Sequence, residues 1–541
     1  MTPKRSQLAT TSLILAIGGL VLASLGETPA SVMALLLGLL AALLGILAAA
    51  LIRWGSTKKT GTRHAFAGVF IAAIATVLGI TGIVNQSRTL FAPQGWQQRN
   101  RWVQVPEVPG RNSATRPPLT QFPTRLPVVI LNTSGKSVWK EQDTIIRAEF
   151  YAAEHTSQLT PEKAEYAGPA TLHVRGNSSA RLPKQSFTLH LVDSETNQIK
   201  APLLGLPKES DWVLYAPFED KTLIRDVLAY DIARKMGHYA PRTRYVELFL
   251  NRSTGPASTL DYEGVYVLVE KIKRGPERVD ITRIAPEDAT EPAISGGYII
   301  KRDHHEREGQ RFHAGEGGPY FYVYPKEKDI SSAQRAWLRR YLGDFEAALH
   351  GPDLANPEKG YAAYLDVDSF IDSHWLIEAS KNVDGFRYSS FITKDRGGKL
   401  RTEPPWDWNR AFGNANYYGG WQTEGWYWPR LRPSEIDWYV QLKKDPIFQA
   451  RAEARWRELR KTCLDPEIIG KRIDEFAAEL EGAHQRNFDR WPILGHPVTC
   501  NYYVGRTHAE EVKWLKNWIR RRIEWIDGQV GADPNTARRI P

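Results

Sequence analysis

The sequence predicts an α+β chain with two unlike halves in a bilobal layout, preceded by about three membrane-spanning helices. Three observations carry this. Between Leu126 and residue 330, short apolar or alternating runs bounded by turn residues read as strands. After Ser331 the apolar spacing changes to a helical period. Ahead of both, Ser6 to Gly26, Thr28 to Ile52 and Ala65 to Ser87 carry no charge, and each approaches the roughly 20 residues that span a bilayer.

Residues 1–90 therefore read as a transmembrane anchor. A cleaved signal peptide is the rival for the first segment, but it leads straight into a second span with no obvious small-residue cleavage site. Gly18, Gly19, Gly38, Gly45 and Ala48 would let the helices pack closely. Lys4 and Arg5 precede the first span, and Arg53, Lys58, Lys59 and Arg63 lie between the second and third. The positive-inside rule puts those loops in the cytoplasm. Three spans then place the rest of the chain outside, so the expected location is the cytoplasmic membrane, multi-pass, with an extracytoplasmic C-terminal domain. With only two spans the orientation of that domain reverses.

Residues 91–125 form a linker in which Pro106, Pro109, Pro117, Pro118 and Pro123 forbid a regular helix. Residues 126–330 follow as the β-rich half, with strands expected at Val128–Leu131, Thr171–Val174, Ser186–Val192, Trp212–Ala216, Tyr245–Leu250, Tyr262–Val269 and Tyr298–Ile300. One helical pattern interrupts them, from Leu223 to Met236. Residues 331–530 form the helical half, with helices at Gln334–Leu349, Val367–Ser380, Pro446–Thr462, Pro466–Arg490 and Ala509–Ile526. The last aligns Val512, Leu515, Trp518, Ile519, Ile523 and Ile526 on one stripe, with Lys and Arg opposite. Residues 531–541 are a tail.

The net charge of +10 invites a nucleic-acid or anionic partner. The basic residues are scattered among acidic neighbours on helices, which points to a solvated surface and no nucleic acid. Cys463 and Cys500 are the two cysteines. In the cytosol they would be small buried hydrophobes; outside the membrane they could form a disulfide. There is no Cys–His zinc spacing.

Chemistry concentrates in Lys381–Asn382–Val383–Asp384–Gly385–Phe386–Arg387 and in Trp406–Asp407–Trp408–Asn409–Arg410. Tyr388 to Thr393 reads as a strand, and Asp395–Arg396–Gly397–Gly398 as a turn. A hairpin of that length brings Asp384 and Asp407 to the same end of a small sheet. Two carboxylates with Asn382 and Asn409 nearby are the oxygen ligands that a hard cation prefers. The same residues also fit an ordinary Asp–Gly turn and core aromatics around a capping carboxylate.

The stretch resembles the signature of the CotH-type atypical protein kinases, the spore coat protein H-like family. Arg175–Gly176–Asn177–Ser178–Ser179 with Pro183–Lys184–Gln185–Ser186–Phe187 resembles the first motif of that family. Asp211–Trp212–Val213–Leu214 with Asp220–Lys221–Thr222–Leu223–Ile224–Arg225 resembles the next. Ala240–Pro241–Arg242–Thr243, then Gly264–Val265–Tyr266 running into Glu270–Lys271–Ile272–Lys273, and Gly296–Gly297–Tyr298 continue the order. The set covers most of the chain after Arg125. The separation of Asp384 and Asp407 is comparable to that of the catalytic-loop and metal-binding aspartates of protein kinases. There is no Gly-x-Gly-x-x-Gly loop, no His–Arg–Asp and no Asp–Phe–Gly, and Ser389 stands where an ordinary kinase has its second metal-binding Asn.

The resemblance implies a bilobal kinase-like fold with a β-rich N-lobe and a helical C-lobe, using ATP and Mg²⁺ or Mn²⁺. It implies Asp407 as metal ligand with Asn409 as helper, and Asp384 as the group that orients or deprotonates the acceptor hydroxyl. Lys271 leads as the cation on the phosphates, with Lys184 and Lys301 as rivals; a lysine at a strand end also serves as an edge-blocking charge. Arg175 with Asn177 either binds phosphate through a turn or ties that turn to a strand. The expected partner is a protein with Ser or Thr acceptors on the cell envelope, besides the lipid bilayer around the anchor. The alternatives are a non-catalytic envelope scaffold on the same fold and a small-molecule or glycan phosphotransferase. A separate run, Asp303–His304–His305–Glu306 with His313, could hold a transition metal, but Gly309, Gly315, Gly317 and Gly318 favour a solvated loop.

Overall fold

Strands rich in β-branched and aromatic residues build the first half, each turning one face inward. The computed structural model describes residues 116–530, apart from 141, 304–310 and 316–318. β1 (Val128–Asn132), β2 (Thr144–Tyr151), β3 (Tyr166–Arg175) and β4 (Ser186–Leu191) run as successive antiparallel neighbours. A small hairpin of β5 (Ala201–Leu203) and β6 (Leu206–Glu209) leads into β7 (Asp211–Tyr215), then helix α1 (Arg225–Lys235), β8 (Thr243–Asn251) and β9 (Tyr262–Glu270). The order β1-β2-β3-β4-β7-β9-β8 closes on itself, because β8 pairs in parallel with β1, Phe249 opposite Ile130. Leu131, Phe150, Leu172, Leu189, Trp212, Leu248 and Tyr266 fill the barrel.

Alternate residues of the same strands face outward, and Val213, Val267 and Val269 meet α1 in a second core. A four-stranded sheet adjoins this core, ordered β11-β10-β12-β13 from β10 (Tyr298–Arg302), β11 (Tyr320–Tyr324), β12 (Ser390–Lys394) and β13 (Leu400–Arg401). Between β11 and β12 the chain forms α2 (Ser332–His350) and α3 (Val367–Ser380). After β13 come α4 (Trp438–Leu442), α5 (Pro446–Leu459), α6 (Pro466–Glu479), α7 (Ala483–Arg490) and α8 (His508–Gln529). Leu515, Ile519 and Ile523 of α8 belong to the same continuous core as α1 and α3. α7 seats against β9 where Gly264, at φ +96°, leaves no Cβ to collide with the Asn487 side chain.

Four expectations are corrected. The β-rich half is a closed seven-stranded barrel and not an open N-lobe sheet, and the shared core joins it to the helices in one compact mixed α/β unit in place of two lobes. The parallel β8–β1 closure joins strands far apart in sequence, which no local alternation announces. The expected spans fall in residues 1–90 and lie outside the described residues. Among the described residues no helix is long and apolar enough to cross a membrane, and the longest helix, α8, is amphipathic, so the multi-pass placement is without structural support. Cys463 and Cys500 are free thiols, the first packed in the core, the second at the site below with burial pushing its thiol up to about 11. Finally, the single helix expected over Pro466–Arg490 breaks at Gly482, at φ +77°, into α6 and α7.

Candidate active site

Helix α3 stops at Ser380 because Lys381 turns left-handed, φ 45° and ψ 48°. Its ammonium reaches inward to the carbonyls of Gln422 (3.0 Å) and Glu424 (2.6 Å), so this lysine is structural. Burial first, and Arg522 second, lower it to about 7. Asn382 Oδ1 accepts the Asp384 N–H at 3.1 Å, and the Asp384 carbonyl accepts N–H groups of Arg387 (2.8 Å) and Tyr388 (2.7 Å). That clamp fixes the backbone of Asp384 and leaves its carboxylate partly exposed, 3.7 Å from Arg387. The chain continues into β12, makes the Asp395–Gly398 turn and returns along β13 toward Asp407.

Asp407 sits at φ 65° and is held from two helices. Its N–H donates to the Tyr230 hydroxyl (3.2 Å), and the Trp408 N–H donates to Asp226 Oδ1 (2.8 Å), both on α1. The Trp408 indole donates to Ser380 Oγ of α3 at 2.9 Å. Asp407 is open to solvent yet ringed closely by protein. Loss of surrounding water pushes its carboxyl up to about 6; Arg410 opposes this, and Asp384, Asp303 and Glu219 add to it. Asp226 is fully enclosed; burial, then the charge of Asp407, push it up to about 7. Its carboxyl also faces the buried Tyr215 hydroxyl.

Asn409 is buried and donates through Nδ2 to Glu219 Oε2 at 3.0 Å, which fixes the orientation of its amide. Glu219 also accepts from the Thr499 hydroxyl and lies 3.5 Å from the Arg410 guanidinium. Arg410 donates to the Tyr417 hydroxyl (3.1 Å) and is kept charged against burial chiefly by Glu219.

A basic group lies beside this acidic one. Arg175, the last residue of β3, spreads its guanidinium over Trp406 at 5.1 Å, and Trp406 stacks on Tyr230. Lys271 follows directly on β9 and makes no hydrogen bond or ion pair among the described residues. Burial lowers it to about 8; Asp211 opposes, while Arg175, Lys326 and Lys273 add repulsion. Lys301 is paired to Asp303 at 3.1 Å. Lys184 is a correction: it is buried elsewhere, donating to the Val265 carbonyl (2.5 Å) and Asn487 Oδ1 (2.7 Å), so it cannot reach a phosphate. His304, His305 and Glu306 lie outside the described residues; Asp303 belongs to the acidic group, and His313 is exposed.

The structure thus brings together Asp384, Asp407 and Asn409 with Glu219, Asp303 and Arg410, and sets Asp226 behind them. Sequence reasoning missed Glu219, Asp226 and Arg410. Glu219 and Asp226 flank the Asp220–Arg225 run, and their spacing from Asp407 in sequence carries no signal. Asp220 itself is a structural carboxylate, accepting from the Thr222 and Arg225 N–H groups at 3.0 and 2.8 Å at the start of α1. Asp407, whose proton affinity is raised, together with the Asp384 carboxylate and an amide oxygen, makes a donor set that fits a hard divalent cation.

No curated protein shows a significant match to the chain. The family model described as "CotH kinase protein" matches residues 172–526, more than half of the chain, and that span contains every side chain of the site. The chain belongs to the CotH kinase protein family.

Proposed function

We propose that this chain is a metal-dependent phosphotransferase of the atypical protein-kinase type, passing the γ-phosphate of ATP to Ser or Thr hydroxyls of a protein. The observation that carries the reading is the coupling of Asp384 to Asp407 in one acidic group, flanked through Trp406 by Arg175 and by Lys271, which makes no ion pair among the described residues. Phosphoryl transfer asks for little beyond such an arrangement: metal ligands, a cation on the phosphates and a carboxylate at the acceptor. Asp407 and Asn409 would hold Mg²⁺ or Mn²⁺, whose charge neutralises the phosphate oxygens. Lys271 and Arg175 bind the phosphates from the barrel side. Asp384, with its backbone clamped and its carboxylate partly exposed, orients the incoming hydroxyl and accepts its proton. Family membership favours a protein acceptor over a small molecule or glycan.

The test is transfer from γ-labelled ATP by the purified protein with Mg²⁺, followed by identification of the labelled amino acid. Asp384→Asn and Asp407→Asn should each lower the rate by roughly 10²- to 10⁴-fold with the fold intact. No transfer by the wild type, or full transfer by both variants, overturns the reading.

A further inference from the structure

β3 and β4 carry a histidine each on the outer face of the barrel, and nothing in the proposed phosphoryl transfer uses them. Their register pairs Thr171 with His190 and His173 with Thr188, so the two imidazoles are diagonal neighbours on one face, ring centroids 6.0 Å apart. β2 pairs Thr144 with Leu172, which places Asp143, one residue ahead, opposite His173. Asp143 Oδ1 lies 2.6 Å from His173 Nδ1. One ligand atom from each of Asp143, His173 and His190 falls within 4.8 Å of the other two.

We propose that Asp143, His173 and His190 form a binding site for a borderline divalent metal ion of the Zn²⁺ class, which staples the approach to β2 onto β3 and β4. Two imidazoles and one carboxylate make a nitrogen-rich set suited to Zn²⁺ and not to Mg²⁺, with a fourth position left for water. The surroundings of His190 are those of a metal ligand. Its Nδ1 lies 2.5 Å from Asp211 Oδ1, so Nδ1–H donates a hydrogen bond to the carboxylate and Nε2 keeps its lone pair. Asp211 is itself held as an anion by Lys273. Two separate His–Asp hydrogen bonds would also explain each pair, but not why three potential ligands from β3, β4 and the approach to β2 converge.

Metal-stripped full-length protein is titrated with ZnCl₂ by calorimetry in excess Mg²⁺, which occupies the acidic site at Asp407, and with Co²⁺ followed by its visible spectrum. The expected result is one equivalent bound, with tetrahedral Co²⁺ bands. Both are lost in His173→Ala and His190→Ala, and affinity drops about 10- to 100-fold in Asp211→Asn. If the histidine variants fail to fold, the surface variant Asp143→Asn decides, since its side chain is 49% exposed. Absence of stoichiometric binding to the wild type, or wild-type affinity in the variants, overturns the proposal.

Discussion

The Trp408 N–H donates to Asp226 Oδ1 at 2.8 Å, tying the residue after Asp407 to the first turn of α1. Asp226 is therefore a positioning residue: it holds the Asp407 loop through backbone and also charges its surroundings. Asp226→Asn keeps an acceptor for that N–H, and because the carboxyl at about 7 is still largely protonated where Asp407 titrates at about 6, the acidic limb of the activity profile should stay in place. Asp226→Ala leaves the N–H unpaired in the interior and should cost about 1–3 kcal/mol of stability. A displaced acidic limb in Asp226→Asn, or an unchanged stability in Asp226→Ala, would sink this assignment.

Asp407 at about 6 and Asp226 at about 7 both bind protons more tightly in the folded chain than in the unfolded one. Stability should therefore fall as pH rises from about 4 toward 7. A divalent cation at Asp407 opposes that loss. Thermal melts with and without MgCl₂ should show little Mg²⁺ effect at pH 5 and a clear upward shift in Tm at pH 7.5. Asp407→Asn should abolish the shift; an equal shift at both pH values would contradict the assignment.

His238 lies between Asp372 (2.8 Å) and Glu403 (3.2 Å). Burial disfavours its charge, but the two hydrogen-bonded carboxylates win and raise it to about 9. Its stabilising contribution, on the order of 3 kcal/mol, is complete below about 6.5 and lost as pH rises to 9. Denaturant unfolding of His238→Gln should lack that decline between pH 6.5 and 9.

The two lysines that the motif order ranked as rivals should separate cleanly. Lys271→Ala should slow phosphoryl transfer by about 10²-fold or more with little change in melting temperature. Lys184→Ala should chiefly lower stability, by about 1–3 kcal/mol, because the Val265 carbonyl loses its buried donor. Nucleotide affinity in folded Lys184→Ala should match the wild type, and a selective loss of nucleotide binding there would reverse the ranking.

Glu378 of α3 and Arg522 of α8 form a fully buried pair at 2.9 Å, and Glu378 also accepts the backbone N–H groups of Tyr427 and Trp428. Arg522→Ala strands that carboxylate in the interior and should cost about 3–5 kcal/mol. Chemical denaturation measures it; a change below about 1 kcal/mol would show that water replaces the guanidinium.

Local physics made much of this molecule legible from its residues. The span Val367–Ser380 is helical, and the turn at Asp395–Gly398 joins β12 to β13, because apolar period and turn chemistry act over a few residues. The ordered motifs likewise identified the family. Tertiary structure alone decided what depends on distant segments meeting. The barrel closes by β8 lying parallel to β1, a pairing encoded by neither strand alone. Lys184 and Lys271 are both lysines on the β-rich half, yet α7 captures one with Asn487 and leaves the other beside Arg175. Glu219 and Asp226 join Asp407 only because α1 packs beneath the Trp406–Asn409 loop. A carboxylate's charge and proton affinity are set by what surrounds it in space, and that neighbourhood exists only once the chain has folded.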